Sequence, residues 1–341
     1  WGDTLVWGDT LVWGDLAPAL QQVLHQGNLA EQVLGEMGEG IGSNNWVISG
    51  QRTASGMPIL ANDMHLGERI PSIWYEVDLQ CVPQGSDCPF RVSGYSFASL
   101  PGVIVGHNDR IAWGFTNVGP DVQDLYIEKI NPANPNQYEY MGKWEDMTLV
   151  DETIQVAGGD PVNLTVRYTR HGPVITEVYG QVENFAEEAG IDLPELHAIS
   201  LSWTALQPGE ALRAFVGINL ARNWDEFRTA ASYFPAPSQN MVYADVEGNI
   251  GYQTPGWIPV RNAGHDGQLP VPGWTGEYDW QGYIPFEELP HSYNPLQGYI
   301  VTANNAVVGT DYPYLIASQW AHGFRARRIV SDLLSFSRES K

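Results

Sequence analysis

The sequence predicts an α+β fold in which strands dominate and the helices are grouped apart from them. Two observations lead to this prediction. Short strand-like segments follow one another with turn residues between them, and the helical patterns after the first forty residues are confined to residues 209–233 and to the end of the chain. Strands that alternate regularly with helices would predict a doubly wound parallel sheet, and that alternation is missing.

The strands and helices can be assigned in order along the chain. Residues 16–37 have helical periodicity in two pieces, and a glycine-rich run at 38–42 ends them. Strands are then predicted at 46–49, 73–79, 103–106, 111–116, 125–130, 162–168, 199–203, 241–245 and 250–252. Helices are predicted at 209–221, at 224–233 with Asn223 as N-cap, and at 324–335.

The composition is that of a folded protein with a large core. Of the 341 residues, 43% are hydrophobic and 13 are Trp, which excludes the disordered class. Acidic residues number 40 against 17 Lys and Arg, so the formal charge is −23. A surface of that charge repels phosphate groups and anionic lipid. We therefore predict no nucleic-acid partner and no membrane partner.

Two cysteines, Cys81 and Cys88, flank a short segment that contains Pro83 and Gly85. These turn residues predict a tight loop that could bring the two sulfur atoms together. A disulfide here would fit an exported protein, and two free cysteines are the alternative.

The residues around Ser43 suggest a nucleophile. A serine hydroxyl attacks poorly unless a base removes its proton. If the chain were cut before Ser43, the new α-amino group, whose reference pKa is about 7.7–8, would be that base. Gly42 suits such a cut, since glycine tolerates the backbone strain needed while Ser43 Oγ attacks the preceding carbonyl. A Gly-Ser pair by itself does not indicate a nucleophile, because such a pair far more often belongs to a loop that ends a helix.

Several segments resemble, in the same order, the catalytic chain of the penicillin acylase family of N-terminal nucleophile hydrolases, which includes cephalosporin and acyl-homoserine-lactone acylases. The segments are SNNWVISG at 43–50, RTASGMPILANDMHL at 52–66, LPGVIVGHN at 100–108, IAWG at 111–114, TRHGPV at 169–174, YADVEGNIGY at 243–252 and YIVTANN at 299–305. The resemblance implies an αββα fold with two stacked antiparallel sheets, here incomplete. It also implies that residues 1–42, which begin with a WGDTLV duplication, are spacer and the end of a preceding chain, and that 43–341 are the N-terminal part of the catalytic (beta) chain.

The resemblance implies a reaction and its residues. A small-molecule N-acyl substrate, such as a penicillin, would be hydrolysed through an acyl-enzyme on Ser43 after self-cleavage between Gly42 and Ser43. Asn304 and the backbone N–H of Asn117 would hold the oxyanion. His65 would contact and orient the Ser43 hydroxyl or amine, and Arg325 would lie near the substrate carboxylate and Asn304.

The resemblance also implies a structural calcium ion and an acyl pocket. Calcium would be bound by Asp121 and Asp124 through carboxylates and by Gln123 and Gly267 through carbonyls. A later aspartate ligand of the family is not clearly present, because Ser318-Gln319 occupies that region. The implied pocket residues are Trp46, Leu66 and Val105, which core packing would also select.

Other functions stay open. The substrate could instead be an acyl-homoserine lactone, or the chain could be an inactive secreted binding module on the same fold. An ordinary Ser-His-Asp hydrolase is disfavoured, because the sequence has no G-x-S-x-G elbow. The expected partner is the preceding (alpha) chain of the same precursor, and the expected location is periplasmic or secreted.

Overall fold

The computed structural model describes residues 42–66, 70–176 and 197–339. Their contacts divide them into two units. Unit 1 consists of the described residues of Val122–Leu206 and Pro259–Gly282, and unit 2 contains the rest. The helices predicted at 16–37 lie outside the described residues.

Unit 2 is built from two antiparallel sheets. The smaller sheet has β1 (Gly42–Ile48) in its centre, between β2 (Ile59–His65) and β18 (Tyr299–Thr302). The larger sheet has seven strands in the order β17-β15-β14-β6-β5-β4-β3. These are β3 (Trp74–Gln80), β4 (Arg91–Phe97), β5 (Val105–Asn108), β6 (Ile111–Asn117), β14 (Gln239–Asp245), β15 (Ile250–Gln253) and β17 (His291–Tyr293).

Helices cover the outer faces of both sheets. Helices α1 (Ala211–Leu220) and α2 (Trp224–Ala231) pack on the seven-stranded sheet, where Ile218 and Phe227 share a core with Trp113 and Tyr243. Helix α3 (Phe324–Glu339) contacts β1 and β18 of the smaller sheet. The order of layers is therefore helix, sheet, sheet, helix, and the predicted αββα fold class is confirmed.

The layer between the two sheets follows from strand alternation. Because successive side chains point to opposite faces, every second residue of a strand enters this layer. Away from Ser43 these residues are apolar, and Val47 packs there with Val242, Ala244 and Ile250. Ser43 and Asn45, on the same face of β1 as Val47, are also buried but polar.

Unit 1 is centred on β7 (Gln123–Asn131). Its neighbours are β13 (His197–Trp203), β8 (Asn134–Tyr140) and the short parallel strand β16 (Val271–Pro272), and β9 (Lys143–Asp146) pairs with β8. A second sheet joins β10 (Thr148–Ile154), β11 (Val162–Thr169) and β12 (Gly172–Pro173). Short 3-10 helices occur at Gly50–Arg52, Thr204–Leu206, Gly273–Thr275 and Phe286–Glu288.

Most predicted strands and helices are present with shifted ends. Asn223 caps α2 as expected, because its side chain accepts a hydrogen bond from the Glu226 N–H. The cysteines Cys81 and Cys88 form the disulfide. The prediction started β1 four residues too late. It also missed nine strands, namely β2, β4, β8, β9, β10, β12, β16, β17 and β18. Across the described part of the chain, no helix combines the length and apolar character needed to cross a membrane.

Candidate active site

Ser43 lies inside the protein, on the inner face of β1. It is 7% exposed, and its partner on β2 is Met64. Since β1 is the central strand of its sheet, the backbone around Ser43 is held by β2 on one side and by the continuation of β18 on the other. The position of this serine is therefore determined by strand pairing rather than by a loop.

Asn304 is the residue that binds the peptide bond before Ser43. The Ser43 N–H donates to Asn304 Oδ1 over 2.8 Å. The other end of the same amide, Nδ2, donates to the Asn117 carbonyl oxygen over 2.9 Å. An amide NH₂ group has two hydrogens, so Asn304 can keep this contact and still donate to a substrate oxygen. The structure thus brings together Ser43, Asn304 and Asn117. The use of the Asn117 N–H and of Asn304 as oxyanion donors stays a prediction.

Arg325 extends from α3 into the same site. Its guanidinium donates to the Ser43 carbonyl oxygen over 2.6 Å, to Asn44 Oδ1 over 2.8 Å and to Asn304 Oδ1 over 3.0 Å. The arginine therefore fixes both the carbonyl of the serine and the acceptor of its N–H. A Cβ atom at Gly42 would lie 3.1 Å from the guanidinium, which gives that position a reason to be glycine.

The expected contact between His65 and Ser43 is not formed among the described residues. His65 pairs across the strands with Gly42, one residue before Ser43, so its side chain is on the other face of the sheet. Its Nε2 instead lies 2.7 Å from Asp63 Oδ2, and Asp63 also accepts from Asn44 Nδ2 over 3.3 Å. His65 thus reaches the site indirectly, since Asn44 also binds Arg325.

The contact with His65 also changes the acidity of Asp63. The His65 hydrogen bond holds the pKa of the Asp63 carboxyl below its ordinary value, with a smaller contribution from Asn44, and burial opposes the shift. Asp63 therefore stays charged to lower pH than a free aspartate.

The three predicted pocket residues do not form one group in the structure. Val105 is 4% exposed and belongs to the core under α1 and α2. Trp46 lies on the opposite face of β1 from Ser43, and Leu66 is 39% exposed just after β2. Their role in binding an acyl group stays a prediction.

The surroundings of Asp124 do not fit a calcium ligand. Arg261 donates to both carboxylate oxygens, over 2.8 and 3.0 Å, and His265 and the Trp280 N–H also bind Oδ2. Calcium needs six or more oxygen ligands, whereas three donors already bind Oδ2 of Asp124 and the charge of Arg261 lies against both oxygens. In residues 42–66, 70–176 and 197–339 no group of three His, Cys, Asp or Glu side chains could hold a metal ion.

For the other three expected calcium residues the structure shows the following backbone positions. Gln123 is the first residue of β7, and Gly267 has a φ of 75° in a turn of unit 1. Asp121 lies before β7, where its N–H donates to the Ile316 carbonyl oxygen. Calcium binding by Asp121, Gln123 and Gly267 therefore stays a prediction.

Sequence reasoning missed a group of buried polar residues beside Ser43. They come from six strands of unit 2: Asn45, Thr116, Asn240, Tyr252 and Thr302 are buried, and Asn62 is half-buried. The signal was present but weak: polar residues alternate with apolar ones on strands whose faces are both buried. Only the stacking of the two sheets shows that these positions meet.

Known proteins resemble this chain over most of its length. The sequence model of the family described as penicillin amidase matches residues 2–341. An acyl-homoserine lactone acylase, QuiP, of Pseudomonas aeruginosa is 35% identical over 291 residues, which are 84% of this chain and 33% of the relative. Penicillin acylase 2 proenzyme of a Pseudomonas species (strain SE83) is 32% identical over 301 residues, covering 87% of this chain and 36% of that protein.

A solved structure agrees with these relatives. The thermostable penicillin G acylase from Alcaligenes faecalis, in its orthorhombic form, matches with a TM-score of 0.70 and 34% sequence identity. The match covers 86% of this chain and 49% of that one. The chain spans about a third of the length of the curated relatives named above.

Proposed function

The chain belongs to the penicillin amidase family, and from this membership we propose that the protein is an amide hydrolase that cuts itself before Ser43 and then uses Ser43 as its nucleophile. One observation carries the proposal. The peptide nitrogen that would become the free amine already donates to Asn304 Oδ1, and Arg325 binds the carbonyl of the same serine. The bond to be cut and the groups that would later serve catalysis are thus held together in the uncut chain.

Self-cleavage requires an attack within one residue pair. Ser43 Oγ adds to the Gly42 carbonyl carbon, the C–N bond breaks, and the hydroxyl proton passes to the Ser43 nitrogen. Gly42 is then an ester on Oγ. Water hydrolyses this ester, which leaves a carboxylate at Gly42 and a free hydroxyl and α-amine on Ser43. The name of one relative, a proenzyme, supports a processing step.

Hydrolysis of a substrate would use the same atoms. The α-amine takes the Oγ proton while Oγ attacks the substrate carbonyl, and the same proton later reaches the leaving amine. Asn304 Nδ2 and the Asn117 N–H stabilise the negative oxygen. Water attacks the resulting acyl-enzyme and releases the acid.

Two substrate classes follow from the relatives. We propose a small N-acyl amide, either an acylated β-lactam or an N-acyl homoserine lactone. The first reading is supported by the match to penicillin G acylase and the second by the QuiP relative. An inactive binding module on this fold is disfavoured, because Ser43, Asn304 and Arg325 are present and in contact.

The proposal includes a partner, a location and the boundary at Ser43. This chain matches only about a third of each relative's length, so we propose that a preceding (alpha) chain, released by the cut, completes the enzyme. We place the protein in the periplasm or outside the cell, which agrees with the Cys81–Cys88 disulfide.

The decisive experiment follows the new N-terminus. We expect purified full-length protein to contain a chain that starts at Ser43, which N-terminal sequencing and intact-mass analysis detect. Ser43→Ala should abolish both the cut and amide hydrolysis, whereas Ser43→Cys, which keeps a nucleophile, is the matched control for processing. An uncut protein with full hydrolase activity would exclude the proposal. A panel of phenylacetyl, glutaryl and long-chain acyl amides together with N-acyl homoserine lactones separates the two substrate classes.

A further inference from the structure

The buried layer between the two sheets of unit 2 changes character beside Ser43. Along β14, Val242 and Ala244 are apolar, whereas Asn240, on the same face, is polar and fully buried. Along β18, Thr302 takes the corresponding place after the apolar Ile300. Burying an amide or hydroxyl costs free energy unless it is hydrogen-bonded, and apolar residues fill the rest of this layer. Packing between the sheets therefore does not explain why these positions are polar.

These polar side chains form a continuous hydrogen-bond chain. Tyr252 Oη donates to Asn240 Oδ1 over 2.6 Å, and Asn240 Nδ2 donates to Thr116 Oγ1 over 3.0 Å. Thr116 Oγ1 in turn donates to Thr302 Oγ1 over 2.8 Å. The last bond joins the seven-stranded sheet to the smaller one, so the chain links the strands that carry the two sides of the site.

Asn240 also contacts the candidate oxyanion site itself. Its Nδ2 lies 3.3 Å from the Asn117 carbonyl oxygen, the atom that accepts from Asn304 Nδ2 over 2.9 Å. One carbonyl is thus bound from two directions by two asparagine amides. Thr302, the last member of the hydrogen-bond chain, precedes Asn304 by two residues.

We propose that Asn240 is a positioning residue that orients the Asn117 peptide and Asn304 relative to Ser43. The inference rests on the proposed hydrolase function and adds to it a residue that does not touch the substrate. Asn240 binds Asn117 through its carbonyl oxygen and binds the preceding residue through Thr116 Oγ1, so it holds both peptide units that flank Asn117. The oxyanion donors must be aimed at the developing charge to be effective. Displacement of catalytic groups by about 1 Å can cost around a hundredfold in rate.

The test removes the donor of Asn240 and keeps its shape. In full-length enzyme we expect Asn240→Asp to lower kcat for amide hydrolysis by about 10- to 100-fold, with little change in KM. Asn219 is the matched control: it is 2% exposed, and its side chain binds the Val103 N–H and carbonyl over 2.8 and 2.7 Å. Asn219→Asp should lower the melting temperature and leave kcat unchanged.

A second variant covers the case in which Asn240→Asp fails to fold. Tyr252→Phe removes only the hydroxyl that orients the Asn240 amide, and we expect a smaller fall in kcat, again without a change in KM. If Tyr252→Phe retains the wild-type kcat, or if folded Asn240→Asp loses stability but no kcat, the positioning role is refuted. A wild-type protein that neither cuts itself nor hydrolyses amides would instead refute the proposed function, and this inference with it.

Discussion

At position 304 the backbone has a φ of 62°, in the left-handed region that asparagine adopts more readily than most residues other than glycine. The conformation directs the side-chain amide toward two peptide groups. Its oxygen binds the Ser43 N–H, and its nitrogen binds the Asn117 carbonyl. The residue at position 304 must therefore tolerate a left-handed backbone and also provide an amide that both accepts and donates hydrogen bonds.

Asn304→Gly separates these two requirements. Glycine adopts the left-handed conformation without strain, so this variant should fold normally and lose only the amide. We expect kcat to fall by roughly 10²–10³ through loss of an oxyanion donor. Asn304→Ala loses the same amide and adds backbone strain of about 1 kcal/mol, which should appear as a lower melting temperature. Normal turnover in Asn304→Gly would rule out the oxyanion role.

How far single residues can be predicted depends on how distinctive their neighbours are. Ser43 and Asn304 stand in characteristic segments, so a resemblance was enough to select them, and the structure puts them in contact. Asn240 and Thr116 are ordinary polar residues of strands. Their importance arises from contacts between residues 116 and 302, and such distant contacts are not visible in local sequence patterns.

The alternation of side chains along β2 determines which of them lie on the same face of the sheet as Ser43. Residues opposite Ser43 and Asn45 enter the buried layer, while Asp63 and His65 lie on the outer face with Asn44. This face forms its own connection, from His65 through Asp63 and Asn44 to Arg325. We infer that His65 acts on the site through Arg325 and not as a base for Ser43.

His65→Gln and His65→Leu test this connection. Glutamine can still donate a hydrogen bond to Asp63, so we expect substantial hydrolysis in fully processed enzyme. Leucine cannot, and the lowered pKa of Asp63 should then return toward its ordinary range. Because protonated Asp63 binds Asn44 less strongly, activity of the leucine variant should fall at a higher pH on the acid side than activity of the wild type. Profiles of kcat against pH measure this difference, and an inactive but correctly cut His65→Gln would make His65 the base.

The ends of the strands and helices show which features local sequence patterns cannot predict. We predicted β1 from residue 46, because Ser-Asn-Asn has low strand propensity, yet the strand begins at Gly42. Pairing with β2 and β18 on both sides overrides that local preference. By contrast, α2 was predicted together with its cap, since the Asn223 cap is a local interaction.

For the molecule as a whole, acidic residues outnumber basic ones by 40 to 17. A buried arginine can therefore neutralise one of the many negative charges of the acidic side chains. Arg261 and Asp124 are 3% and 1% exposed in their side chains and bind through two hydrogen bonds. Burial would raise the pKa of Asp124, but hydrogen bonds from His265 and Arg261, with the arginine charge, hold it below its ordinary value.

This pair predicts how stability depends on pH and on calcium. A lowered pKa means that the contribution of Asp124 is complete above about pH 4, the unfolded value, and is lost as pH falls through the folded pKa. Asp124→Asn should cost about 3–5 kcal/mol at neutral pH, because it leaves Arg261 without its ionic partner, and the difference from wild type should shrink in acid. Denaturant unfolding at several pH values measures it.

The control and the calcium experiment use the same assay. Asp332→Asn removes an exposed partner of Arg328 and should leave stability nearly unchanged, because solvent screens an exposed ion pair. If Asp121, Gln123 and Gly267 bind calcium as the resemblance implies, a chelator should lower the melting temperature of wild type and of Asp124→Asn equally, because Arg261 already neutralises Asp124. An unchanged melting temperature, with no calcium found by elemental analysis, would rule the ion out.

If the chain cuts itself before Ser43 as proposed, the central position of β1 has a consequence for the kinetics of that cut. The serine, the asparagine and the arginine belong to one polypeptide, and the backbone N–H and carbonyl of Ser43 already bind Asn304 and Arg325 in the uncut chain. Processing should therefore be unimolecular, with a rate constant that does not change when the protein is diluted. A time course at two concentrations a hundredfold apart would give superimposable curves. A rate that rose with concentration would mean that one molecule cuts another, which a nucleophile enclosed between two sheets could hardly do.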